Sequence, residues 1–170
     1  KYRTSNIKWL IEAANQGLVL AQYKLGVEYE NPYGATGRDY KEAIKWYRKA
    51  AEQEYVAVYE TLGDFYYTGI GVKKDYTEAF KWYKKAASND YIHSQNRLAE
   101  CYEKGNGVTI NYTDAVKWYH KSSKMEASRA KLVELYALGL GVEKSTKEAL
   151  KWAKCCKDDF YWNRYKSFRI

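Results

Sequence analysis

Tryptophan recurs at Trp9, Trp46, Trp82, Trp118 and Trp152, at separations of 37, 36, 36 and 34 residues. So large a side chain returning at a near-constant interval restricts the chain to an array, in which one supersecondary unit is repeated and each copy is buried by its neighbours. Other columns travel with it. From Trp46 onward an alanine stands three residues earlier (Ala43, Ala79, Ala115, Ala149). Leu25, Leu62, Leu98 and Leu132 are each followed four residues later by Tyr29, Tyr66, Tyr102 and Tyr136. Spacings of three and four are those of one helix face, so the unit is helical.

Each unit reads as two helices. The first carries the leucine and tyrosine; the second carries the tryptophan. Between them lie Gly69-Ile70-Gly71-Val72, Gly105-Asn106-Gly107-Val108 and Gly139-Leu140-Gly141-Val142. Their glycines supply the positive φ angles that stop one helix and aim the next. Asp39 with Glu42, Asp75 with Glu78 and Ser145 with Glu148 are spaced as capping boxes, and Asn111 with Asp114 as a degraded one. The first residue takes an orphan N–H, and the second is expected to reach back to the cap. Ala50-Ala51 and Ala86-Ala87 leave room for close approach, while the indole and the tyrosine after it fill the space between layers.

The order Ala-x3-Leu-Gly-x2-Tyr, Gly-x-Gly-Val, Asp, Ala, Trp, Ala-Ala resembles the Sel-one-like repeat (SLR) family, a branch of the tetratricopeptide-like α-solenoids. It is carried by Ala21, Leu25, Gly26 and Tyr29, and by Leu62, Gly63, Tyr66, Gly69, Gly71, Val72, Asp75, Ala79, Trp82, Ala86 and Ala87. The resemblance implies an all-α, right-handed superhelical solenoid of helix-turn-helix repeats. It also implies adaptor roles in signalling, protein quality control, host interaction or toxin neutralisation, with no shared active site. The expected organisation is one solenoid domain with a half-repeat at 1–17, repeats at 18–54, 55–90, 91–124 and 125–157, and a capping helix at 158–170 on Tyr161, Tyr165 and Phe168. The chain opens at Lys1 rather than methionine, which predicts that something precedes it.

Departures from the pattern are local. The first unit replaces its glycine turn with the longer Asn31–Gly37 segment, read as a tolerated insertion or a partner contact. Ala99, Val133 and Ser122-Ser123 stand where glycine, glycine and alanines are expected, and read as divergence toward the C-terminus. Cys101, Cys155 and Cys156 are odd in number and unevenly spaced, so they read as packing residues and not as a disulfide framework.

The net charge is +8. If, as the resemblance implies, the first helix of each unit lines an inner, concave face and the second an outer one, the inner positions around each key leucine present Tyr23, Glu30, Asn31, Glu60, Asp64, Tyr67, His93, Asn96, Glu100, Glu103 and Glu134. An acidic groove with interleaved aromatics suits a basic peptide or protein surface. Two alternatives stay open. One is an immunity- or inhibitor-type protein that neutralises a partner enzyme. The other is a basic outer stripe, Lys8, Lys45, Lys81, Lys117 and Lys151, that binds nucleic acid or anionic lipid. The stripe reads more simply as solvated surface. No enzyme, cofactor or metal is expected: His93 and His120 fall on different helices, and no ligand spacing or phosphate-loop context accompanies them.

Overall fold

The computed structural model describes residues 2–156, with side chains from residue 7, so the expected capping helix at 158–170 lies outside the described residues. Among these residues are nine α-helices and no strand. The chain divides into two compact units, Lys1–Lys85 and Ala86–Ile170, which are treated separately below.

The first unit holds α1 (Tyr2–Asn15), α2 (Val19–Glu30), α3 (Tyr40–Glu52), a short 3-10 turn (Val56–Val58), α4 (Tyr59–Thr68) and most of α5 (Tyr76–Ser88). Helices α2 and α4 are inner; α3 and α5 are outer. Leu25 and Leu62 are fully buried. Trp46 packs into a cluster of Ala14, Ala21 and Leu25, with Ile7, Leu10, Ile11 and Tyr29 at its edge. It is thus held by α1 and by its own inner helix. Trp9, at the matching position of α1, is 72% exposed.

The residue after each tryptophan is buried more completely than the tryptophan itself. Tyr47 and Tyr83 are sealed, and each lies on the glycine that follows the key leucine. A Cβ built at Gly26 or Gly63 would come within 2.5 Å of a Tyr47 or Tyr83 ring carbon. The glycine is therefore a seat for a ring.

The second unit completes α5 and adds α6 (Ile92–Lys104), α7 (Tyr112–Lys121), α8 (Glu126–Leu138) and α9 (Thr146–Lys154). Tyr119 is buried in a cluster with Ala99, Ala115, Val116, Leu132 and Leu135. In the last repeat the bulk has changed sides. Val133 replaces the seat glycine and Ala153 replaces the tyrosine, and the two share one buried cluster with Ala149. Val133 is thus not a sign of loosened packing near the C-terminus, because it is fully buried and matched by a small residue opposite.

The capping pattern holds in its first half only. Asp39 Oδ1 accepts from the N–H groups of Lys41 and Glu42 at 3.0 and 3.2 Å, and Asp75 does the same for Thr77 and Glu78 at 2.9 and 3.0 Å. Asn111 and Ser145 each accept from the third residue on, at 3.0 and 3.2 Å. The expected return bond is replaced. The cap N–H groups of Asp39, Asp75, Asn111 and Ser145 donate instead to the carbonyls of Tyr29, Tyr66, Tyr102 and Tyr136, at 2.7 to 2.9 Å. That bond fastens the start of each outer helix to its inner helix, leaving the Glu or Asp at the third position free to pair with lysine.

Gly69, Gly105 and Gly139 end α4, α6 and α8 in the left-handed region. The second glycine of the turn serves a different purpose, seen best at Gly141. A Cβ there would sit 2.2 Å from the Tyr112 carbonyl carbon and 2.5 Å from the Thr113 nitrogen, so the turn lies directly on the first turn of α7. The longer turn of the first unit is tied down internally, with the Glu28 carboxylate accepting from the Ala35 N–H. Its Tyr33 stands 81% exposed.

Outer helices α3 and α5 end on left-handed residues that are not glycine, Glu54 (φ 59) and Asp90 (φ 61). At the matching position after α1 the sequence has Gly17, φ 91. A side chain in this region costs about 1 kcal/mol or more relative to glycine. Glu54→Gly is accordingly expected to raise the urea midpoint, by roughly 1 kcal/mol of stability; a lower midpoint would show that the glutamate is needed.

Candidate protein-interaction surface

The inner helices were expected to present their carboxylates to a groove, and the two units treat those carboxylates differently. In the first unit Glu30 accepts a hydrogen bond from the Tyr47 hydroxyl, and Asp64 accepts one from the Tyr83 hydroxyl at 2.7 Å. Burial, followed by the bond to Glu30, pushes the Tyr47 phenol far above its ordinary range, so the donor remains neutral at any physiological pH. A neutral donor orients a carboxylate without cancelling its charge. Around these acids α2 exposes Leu20 (57%) and Val27 (43%). Tyr23 lies half-buried, its ring 5.2 Å from Tyr55 and 6.1 Å from Tyr47. On α4, Asp64 is exposed and Glu60 half-buried, and the Tyr67 ring meets Tyr76 edge-on at 5.2 Å. Asn31 caps the next turn through its side-chain oxygen, which accepts from the Tyr33 N–H at 2.9 Å.

In the second unit cations intervene. Glu103 accepts from the Tyr119 hydroxyl and also pairs with Lys131 at 3.0 Å, while the same Lys131 pairs with Glu134 at 3.2 Å. Burial lowers the Lys131 pKa, but the two carboxylates outweigh it and the net shift is upward. Glu100 lies 3.4 Å from Arg97 and 4.0 Å from Lys104. Asn96, expected in the groove, is buried instead. It donates to Ser128 at 2.9 Å, and Ser128 shares a 2.7 Å bond with Ser122. Of the two serines read as divergent, Ser122 thus belongs to a buried polar network with Ser128 and Asn96. His93 is exposed.

The groove positions read from the sequence omit Arg97 and Lys131, each one residue before a key leucine. The i,i+3 spacing to Glu100 and Glu134 was the signal that could have revealed them.

The outer lysines are largely occupied. Lys45, Lys81, Lys117 and Lys151 pair with Glu42, Glu78, Asp114 and Glu148 at 3.1 to 3.2 Å. Those acids are the residues freed by the altered capping. A second set rests on indole faces: Lys49 on Trp46 at 4.0 Å, Lys85 on Trp82 at 4.6 Å and Lys121 on Trp118 at 4.2 Å.

His120, on outer helix α7, bonds the Tyr136 hydroxyl at 3.0 Å and meets Trp152 edge-on at 5.2 Å. Burial lowers its pKa below the ordinary value, with nearby Glu148 opposing and Lys151 assisting. Because the folded pKa lies below the unfolded one, near 6.5, the neutral ring's contribution is fully present above that pH and is lost as pH falls below it. The melting temperature of the native chain should therefore drop between pH 7 and 5 more than that of His120→Gln; parallel curves would contradict this.

Inner and outer helices in register, tied by glycine turns and a repeated cap-to-tyrosine bond, define a helix-pair repeat protein of the α-solenoid class. The Sel1 repeat pattern matches residues 7–18, 19–55, 62–91, 92–126 and 130–155, and the chain belongs to the Sel1 repeat family. Among solved structures it is similar to c5321, a protective antigen of uropathogenic Escherichia coli with an SLR fold, at 35% identity and a TM-score of 0.80 over 87% of this chain and 32% of that one. It is also similar to a Sel1 repeat protein from Oxalobacter formigenes, at 34% identity and a TM-score of 0.77 over 86% of this chain and 61% of that one. Cysteine rich protein B of Helicobacter pylori shares the fold at 24% identity and a TM-score of 0.54, over 75% of this chain and 92% of that one. The chain thus spans about a third and about three-fifths of the first two. No curated protein sequence matches. Sel1-repeat proteins generally serve as scaffolds for protein–protein interaction, and they are typically not enzymes.

Proposed function

We propose that this chain is a non-catalytic interaction scaffold whose binding face is the exposed side of α2 and α4, and that its partner is a basic, amphipathic protein segment. The observation that carries this reading is the pair of tyrosine-held acids, Glu30 and Asp64, whose orientation is fixed by a neutral hydroxyl and not by a cation. Pre-oriented charge spares a ligand the cost of ordering it. Exposed Leu20 and Val27 and the half-buried Tyr23 and Tyr67 offer apolar contact to the other face of such a segment. The cation-paired acids Glu100, Glu103 and Glu134 are weaker candidates, because a basic ligand would have to displace a cation already present.

The test is fluorescence anisotropy with a labelled lysine–leucine amphipathic peptide. Val27→Lys with Glu60→Lys is expected to weaken binding by tenfold or more, about 1.4 kcal/mol. Glu134→Lys is expected to change it little. Equal loss in both would return the site to the whole row of acids, and no binding by the native chain would remove the proposal.

A further inference from the structure

The first unit contains a cleft of opposite character on its outer side. It has a volume of 490 Å³ and lies between the outward face of α3 and the Gly69–Val72 turn. Lys41, Lys45, Arg48 and Lys49 line it from one helix face, and Glu52 is the acid among its lining residues. The floor is Ile44, Tyr66, Gly71 and Val72. Arg48 is placed by stacking, its guanidinium carbon 5.3 Å from the centre of the buried Tyr66 ring. Lys45 is held by Glu42 and Lys49 by the Trp46 face, so the cations differ in how freely they can turn to a ligand.

The equivalent place in the second unit provides an internal comparison. Gly141 meets Tyr112 there as Gly71 meets Tyr40 in the first unit. His120 stands in place of Arg48, and its ring packs between Tyr136 and Trp152. That position holds a half-buried ring whose neutral form is favoured, where the first unit holds an exposed guanidinium.

We propose that the α3 cleft is a second binding site, and that its ligand is an acidic peptide segment presenting side-chain carboxylates to Arg48 and Lys41. Arginine over an aromatic ring is pre-organised for carboxylate, and its fork reaches two oxygens at once. The cleft is within the size range of small-ligand sites and larger than a bare anion needs. Nucleic acid is disfavoured because it requires a track of free phosphate-binding cations. Within the first unit, the next outer-helix lysine, Lys81, lies beside the Glu78 carboxylate.

The experiment titrates a short fluorescein-labelled poly-glutamate peptide against the native chain, Arg48→His, Lys41→Glu/Arg48→Glu and a charge-matched control, Lys84→Glu/Lys124→Glu. Native melting behaviour is checked for each variant by circular dichroism. The native chain and the control are expected to bind alike within about twofold, and both cleft variants to bind roughly tenfold more weakly. Arg48→His is the decisive variant because it installs the second unit's residue without reversing a charge. Three results would overturn the proposal: no binding by the native chain, equal loss in the control, or a single-stranded oligonucleotide or inorganic phosphate displacing the peptide at equal concentration. Because the cations of this cleft lie on α3 and the acids of the cationic-peptide face on α2 and α4, failure here would leave the cationic-peptide result untouched.

Discussion

Replacing Gly63 with valine is expected to destabilise the first unit by about 3 kcal/mol or more, the upper range for overpacking a well-filled core. The ring of Tyr83 lies where the first added carbon would go, at 2.5 Å, and it cannot swing away. It is fully buried, and its hydroxyl is committed to Asp64. Tyr83→Ala alone should also be costly, about 3–5 kcal/mol for an aromatic-to-alanine cavity. The informative variant is the double one. The last repeat already carries the reciprocal arrangement, Val133 against Ala153, in a buried cluster. Gly63→Val/Tyr83→Ala should therefore be less destabilised than the two single changes added together, by roughly 1–3 kcal/mol of favourable coupling in urea unfolding. Strict additivity would mean that the two side chains do not share one space.

Gly141→Ala is expected to cost about 4 kcal/mol, because two penalties coincide. The backbone there has φ 71, where an L side chain is strained, and the new Cβ would meet the Tyr112 carbonyl oxygen at 2.4 Å. Backbone cannot rotate aside as a flexible side chain does. The residue that separates the two penalties is Gly37, whose φ is 73 but around which nothing lies within 4 Å. Gly37→Ala should show the conformational penalty alone, about 1–2 kcal/mol. If both variants unfold at the same urea concentration, the close approach of turn to helix contributes nothing and α8–α9 is positioned otherwise.

The parts of this molecule legible in its sequence are those written by helical period. The leucine, tyrosine and alanine columns repeat at fixed offsets, and each falls on a helix or at its end as spaced. What stayed hidden depends on which face meets which. The tyrosine hydroxyls find Glu30 and Glu103 five residues after the key leucine, but Asp64 only two after it, so no single offset identifies the pairs. Lys131 binds an acid of its own helix and one of the preceding inner helix, and only the first lies at a readable spacing. The bond from each cap N–H to a tyrosine carbonyl is made by backbone, which no residue type announces. Val133 resembled decay until the residue opposite was known to be Ala153.

These contacts give the functional proposal its shape. Packing takes up the sealed tyrosines, much of the indole surface and most of the outer lysines. The acids of the second unit are partly neutralised by Arg97, Lys104 and Lys131. What remains charged, oriented and bordered by exposed apolar side chains is the surface of α2 and α4. The most direct test is to titrate the isotopically labelled chain with the lysine–leucine peptide and follow amide chemical shifts. The account predicts that Leu20, Tyr23, Val27, Glu60 and Tyr67 move while α7 and α9 stay still. Shifts centred on Glu100, Glu103 and Glu134, or on the outer helices alone, would contradict it.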